Sequence, residues 1–179
     1  ASAYYKSKTL AEKAAWDFVA EHPEMQLTTV NPALVVGRPL DDKYGTSLSV
    51  IERVMAAKDP MLPDLGFGVV DVADIAAIHI AAMDRPESVG NRYIGSAGSI
   101  TMPEIGQMLA QVYPDRKIAT KAAPGWLLRI LARFDPAVKS VLPQVGVKSE
   151  FDASATRADL GITFTPVDEA IKRAASTVA

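Results

Sequence analysis

The stretch that most constrains the fold is Leu-Thr-Thr-Val-Asn-Pro-Ala-Leu-Val-Val at positions 27–36, which reads as a buried strand running into Gly37. Pro32 cannot donate a ladder bond, so it belongs where pairing ends rather than in the middle of a sheet. Helical patterns stand on either side. Before the strand, Leu10, Ala14 and Phe18 repeat every four residues with Ala11, Ala15 and Val19 beside them, which predicts a helix over 4–21. Lys6, Lys13 and Asp17 suit its outer face. His22 falls in the last turn, where it can meet the helix C-terminus, and Pro23 stops the helix. After the strand, Leu48, Ile51 and Met55 predict a helix over about 47–58 with those residues inward. Helix, strand, helix is an α/β arrangement. In a doubly wound sheet, ligands sit beyond the carboxyl ends of the strands, which is where Pro32 and Gly37 fall.

The rest of the chain continues the pattern. Residues 38–47 read as a polar loop with Asp41, Asp42, Lys43, Gly45 and Thr46, and Arg38 within it reads as solvated or as a contact for an anion. Pro60, Pro63 and Gly66 make 59–66 a connector bordering a pocket. Phe67 to Val70 is a short extended piece. Asp71 caps the next helix, and Asp74 places a second carboxylate in its first turn; capping accounts for both better than metal or glycosidase chemistry. His79 on that helix reads as a packed, satisfied residue. Arg92 to Ser96 is a strand. Thr101-Met102-Pro103-Glu104 is a capping box that opens a helix running to Pro114. Lys117 to Lys121 reads as a short strand. Trp126, Leu127, Ile130 and Leu131 form an apolar helical face, extended by Phe134, which reads as core ahead of a hydrophobic substrate pocket or a partner surface. Gly161 is a natural helix terminator, and Thr165-Pro166 opens the last helix, with Val167, Ala170, Ile171 and Ala174 inward.

Composition narrows the function. The 179 residues carry a net charge of −2, with Lys and Arg scattered, so no basic stripe points to nucleic acid or an anionic membrane. There is no cysteine, which excludes disulfides, thiolate metal sites and a cysteine nucleophile. No apolar run is long enough to span a bilayer, and a cytoplasmic location is the expectation. No set of residues suggests a metal site.

Chemistry concentrates in Tyr4-Tyr5-Lys6-Ser7-Lys8-Thr9-Leu10-Ala11-Glu12. Tyr4 and Lys8 are four apart, one turn apart on one face of a helix. A free phenol has a pKa of about 10, and a neighbouring ammonium favours its ionised form. Such a pair can exchange a proton with a substrate oxygen. Tyr5 competes for the role but has Thr9, not a lysine, four residues on.

Residues 4–16 resemble the active-site helix of extended short-chain dehydrogenase/reductases, within the epimerase/dehydratase superfamily and most nearly its dihydroflavonol-reductase-like branch. Asn31-Pro32-Ala33-Leu34-Val35-Val36-Gly37 resembles the same family. The resemblance implies an α/β fold: part of a doubly wound, Rossmann-like parallel sheet plus a smaller mixed α/β substrate-binding region. It implies Tyr4 as proton donor, Lys8 as its tuner and ribose anchor, and nicotinamide contacts from Pro32, Ala33, Leu34 and Val35, mostly by backbone and packing. Ser47 stands about where the family places a serine near the cofactor; otherwise it is an N-cap. Residues 1–37 and about 67–96 would form the C-terminal part of the nucleotide-binding domain, and about 38–66 and 97–179 the substrate-binding region.

The implied function is reduction of an aldehyde or ketone with NADP or NAD, the hydride coming from the nicotinamide. The resemblance covers only the second half of the family's sequence. No Gly-x-Gly-x-x-Gly turn occurs in this chain, so an N-terminal nucleotide-binding half, in the same chain or a second polypeptide, is expected as a partner, and the chain alone is expected to be inactive. A homodimer through the active-site helix is also implied. Two rivals stand beside this reading. A sugar-nucleotide epimerase or dehydratase uses the same pair, but Val30-Asn31 and Val36 replace its usual Arg and Tyr. A non-catalytic binding or redox-sensing module would not need both Tyr4 and Lys8.

Overall fold

The computed structural model describes residues 3–40 and 45–178, so Asp41, Asp42 and Lys43 of the polar loop lie outside the described residues. In chain order the elements are α1 (Ala3–Glu21), β1 (Thr29–Pro32), β2 (Leu34–Val36), α2 (Thr46–Met55), β3 (Gly66–Asp71), α3 (Val72–Asp84), β4 (Arg92–Gly95), β5 (Gly98–Thr101), α4 (Met102–Val112), α5 (Gly125–Leu131), α6 (Pro136–Val141), α7 (Ser154–Leu160) and α8 (Val167–Val178).

The expected single strand over 27–36 is two strands in two sheets. β1 pairs in parallel with β4, from Thr29 opposite Arg92 to Pro32 opposite Gly95. Pro32 ends that pairing, as its missing N–H requires. Ala33 donates its N–H to the Gly95 carbonyl at 2.9 Å, and the chain then crosses to a second sheet. There β2 pairs in parallel with β3, Leu34 opposite Val69 and Val36 opposite Asp71. β5 adds antiparallel to β3, Gly66 opposite Thr101. The fold is α/β: a two-stranded parallel piece of a Rossmann-like sheet together with a three-stranded mixed sheet.

The main core lies over the β2–β3–β5 sheet, where Val36, Val69 and Ile100 meet Ile51 and Val54 of α2, Ile105 and Leu109 of α4, and Ile171 of α8. A smaller cluster joins Ile78 of α3, Tyr93 of β4 and Leu160 of α7. The caps form as the sequence requires. Asp71 accepts from the Ala73 N–H at 2.8 Å. In the Thr101–Glu104 box, Glu104 accepts from the Thr101 N–H at 2.7 Å and Thr101 Oγ1 accepts from the Glu104 N–H at 3.3 Å. Gly161 takes the left-handed conformation at φ 65° and ends α7.

Several expectations are corrected. α2 stops at Met55, because Ala57 adopts φ 51°. Asp74 does more than favour a helix dipole: its buried carboxylate accepts from Thr165 N–H at 2.7 Å and Thr165 Oγ1 at 3.1 Å, tying the start of α8 to α3. Residues 117–121 form no strand; a single bridge, Leu62 to Ala122, follows just after them. In α5 the buried residue is Leu128, which is not on the face expected as core; of that face Leu127 is half-buried and Trp126, Ile130 and Leu131 are exposed, as is Phe134 beyond it. α1 departs most. None of its residues is buried, and the Leu10, Ala14, Phe18 row points outward. Its half-buried face keeps Ala15 and Val19 of the expected apolar side and adds Glu12 and Trp16.

Candidate active site

α1 sets Tyr4 and Lys8 on successive turns, with Lys8 Nζ 5.9 Å from the centre of the Tyr4 ring, at the outer reach of a cation–π contact. The hydroxyls flanking Lys8 are spent locally: Ser7 Oγ donates to the Tyr4 carbonyl at 2.7 Å and Thr9 Oγ1 to the Tyr5 carbonyl at 2.9 Å. Tyr4 is exposed and lines a cavity of about 630 Å³, a volume usual for small-molecule sites. Pro32, Ala33, Leu34 and Ser47 line it too. Five of the seven sequence-predicted residues therefore share one cavity. Lys8 and Val35 are not in its lining. Val35 pairs with Val70 and holds the strand behind the wall. Ser47 does not cap α2; Gly45 holds that position, and Ser47 sits in the first turn. Tyr5 also reaches the cavity, with its ring 5.9 Å from that of Tyr4 and edge-on to it.

Of the far wall, only Gly66, at the end of the connector expected to border a pocket, was foreseen. The wall consists of Gly66, Phe67 and Gly68 of β3 with Gln144, Val147, Ser149 and Phe151 from the segment after α6. Two glycines on one face of a strand let that segment cross close above it. A Cβ on Gly66 would stand 2.6 Å from the Val147 carbonyl oxygen, and one on Gly68 would stand 2.5 Å from the Phe151 ring. The segment is then fastened: the Gly66 N–H donates to the Val147 carbonyl at 3.2 Å, Ser99 Oγ donates to the Ser149 carbonyl, and Lys148 Nζ meets Glu104 at 3.0 Å. The alternation Gly66-Phe67-Gly68 was the available signal, since glycine inside a strand marks close backbone approach.

Hydrogen bonding to the Thr101 N–H, more than the Lys148 ammonium, holds the Glu104 carboxyl below the usual range. A second cavity of about 550 Å³ lies between α2, α5 and α6 and shares Phe67 with the first, but no residue of the tyrosine–lysine helix lines it. His22 meets the end of its helix as expected, Nδ1 at 2.7 Å from the Phe18 carbonyl. His79 is satisfied by the Ile75 carbonyl at 2.8 Å but is exposed rather than packed. Arg38 is exposed.

This parallel-sheet α/β chain, with its Tyr–x–x–x–Lys helix beside a cavity at a strand's carboxyl end, is similar to several reductases, and in fold to a nucleoside-diphosphate-sugar epimerase of Pseudomonas aeruginosa. The chain is 34% identical over 122 residues to the NADPH-dependent methylglyoxal reductase GRE2 of Saccharomyces cerevisiae, covering 63% of this chain and 36% of that protein. It is 30% identical over 169 residues to the cinnamoyl-CoA reductase CAD2 of Medicago truncatula, covering 94% of this chain and 45% of that one. Among solved structures, yeast methylglyoxal/isovaleraldehyde reductase Gre2 complexed with NADPH superposes with a TM-score of 0.77 at 29% identity, covering 98% of this chain and 50% of that chain. The chain thus spans half or less of the length of these relatives. No family model matches it. The chain belongs to the extended short-chain dehydrogenase/reductase superfamily, in its dihydroflavonol-reductase-like branch.

Proposed function

We propose that the protein to which this chain belongs reduces an aldehyde or ketone with NADPH, and that Tyr4 is its proton donor. The observation that carries this reading is the gathering of Tyr4, Pro32, Ala33, Leu34 and Ser47 around one cavity. The lining suits the nicotinamide end of the cofactor. Pro32, Ala33 and Leu34 offer an apolar wall, and Tyr4 and Ser47 offer hydroxyls. NADPH, when bound, supplies a hydride to the carbonyl carbon. Tyr4 gives its hydroxyl proton to the carbonyl oxygen, so that the product is an alcohol. Lys8, 5.9 Å from the ring centre, places positive charge beside the phenolate left behind and is the ribose anchor. Val35 holds the Pro32–Leu34 wall in register through β3.

Residues 1–37 and about 67–96 are assigned to the nucleotide-binding part, and about 38–66 and 97–179 to the substrate-binding part. The outward row Leu10, Ala14, Phe18 supports further polypeptide against α1, either the remaining nucleotide-binding half or a dimer mate. A cytoplasmic location is part of the same reading; among the described residues no helix is long and apolar enough to cross a membrane.

The test is NADPH oxidation by the full-length protein with methylglyoxal and isovaleraldehyde, the compounds named for the yeast relative, as first substrates. Carbonyl-dependent oxidation is expected. A substrate-dependent transient NADH with a nucleotide sugar would replace the reading by an epimerase, and no turnover with any carbonyl would favour a binding module.

A further inference from the structure

We propose that Glu12 is the positioning residue of the Tyr4–Lys8 pair, clamping α1 to the sheet edge at the one rotation that brings Tyr4 into the cavity. The inference rests on the reading of Tyr4 as proton donor.

A helix is ordinarily oriented by the residues it buries, and α1 buries none. Its half-buried face is Glu12, Ala15, Trp16 and Val19, and two of these four are small or charged. At Glu12 the contacts converge. Its Oε1 accepts from Arg92 Nε at 2.7 Å, from Thr29 Oγ1 at 3.3 Å and from Asn31 Nδ2 at 3.4 Å. Thr29 and Asn31 are alternate residues of β1 and share a face. Arg92 is the β4 partner of Thr29. One carboxylate oxygen therefore fastens α1 to two adjacent strands at once.

An isolated surface ion pair contributes little, but this one differs in kind. The Glu12 side chain is 21% exposed, against 50% for Arg92, and Thr29 and Asn31 add two uncharged donors from β1. The acid gains its low energy from a fixed set of partners, so the helix rotation that satisfies all three is narrowly defined.

Lys8 and Tyr4 lie one and two turns before Glu12 on the same rigid helix. Side-chain ends lie about 6 Å from a helix axis, so turning α1 by about 20° would carry them about 2 Å sideways. A misplacement of about 1 Å can cost about a hundredfold in rate. The same β1 residues lead into Pro32 and Ala33, so the clamp also ties the donor's helix to the opposing cavity wall.

The experiment compares the unmodified full-length protein with Glu12→Ala by hydrogen exchange and by steady-state kinetics with NADPH and methylglyoxal. Exchange in α1 should accelerate tenfold or more while α4 and α8 keep their protection. The kcat per folded molecule should fall tenfold or more with KM for the carbonyl changed less than threefold. Should Glu12→Ala not fold, Arg92→Leu, outside the cavity lining, removes the same clamp from the other side and should give the same pattern. Unchanged exchange in α1, equal acceleration throughout the chain, or an unchanged kcat would each overturn the role of Glu12. An unmodified protein with no carbonyl-dependent turnover would instead overturn the proton-donor reading, and the exchange arm would still show whether Glu12 sets α1.

Discussion

Two helices with comparable apolar spacing end in opposite circumstances. In α8, Ala170, Ile171, Ala174 and Ala175 are all fully buried against the mixed sheet. In α1, Leu10 is 54% and Phe18 50% exposed, and no residue is buried. α8 is held by apolar area removed from water, a non-directional force that fixes position through shape. α1 is held mainly by directional bonds at Glu12. The helix that bears Tyr4 and Lys8 is thus the less firmly seated of the two, in keeping with the general finding that functional elements are drawn from the low-stability end of a fold.

The contrast can be broken most easily at α8. Ile171→Ala removes a fully buried side chain and should cost about 2–5 kcal/mol, read as a lower urea midpoint; a loss under about 1 kcal/mol would mean the core relaxes around it. Asp74→Ala removes the tether to Thr165 and should cost about 1.5–3 kcal/mol, the range for bonds to a charged group, read from thermal unfolding.

Acid should separate the two helices. The Glu12 carboxyl lies below its ordinary value, first because Arg92 donates to it. A lowered folded value means that its stabilising contribution is complete above the unfolded carboxylate range, about 4.3, and is lost as pH falls through the lowered value. Exchange in α1, corrected for intrinsic rate, should therefore rise below about pH 4 before that of α8. The smallest effect belongs to Leu10→Ala. It should change stability by no more than about 0.5 kcal/mol in this chain. A markedly larger cost in the full-length protein would show that Leu10 is covered there.

What could be read from the sequence was mostly local. Caps at Asp71, Thr101 and Gly161 depend on neighbours within a few positions, and all three form. Tyr4, Pro32 and Ser47 were marked by motif and meet at the cavity. The misreadings share a cause: periodicity reports that a helix has an apolar face, not what lies against it. Hence α5 was expected as core although most of its apolar residues are exposed, and in α1 the Leu10, Ala14, Phe18 row is exposed while only Ala15 and Val19 beside it are half-buried. The Phe151 wall and the Glu12 cluster escaped notice because they join residues far apart in the chain, Glu12 to Arg92 and Gly68 to Phe151. The break at Ala33 was half legible, since Pro32 announced an end to pairing but not a second sheet beyond it.

The account stands most directly on the phenol of Tyr4. Replacing Tyr4 by Phe in the full-length protein keeps the ring and removes the donor. The kcat for carbonyl reduction with NADPH should fall by about 10²–10⁴-fold, the usual contribution of a positioned acid, with little change in NADPH affinity. Turnover within about twofold of the unmodified protein, well short of any general-acid contribution, would contradict the assignment.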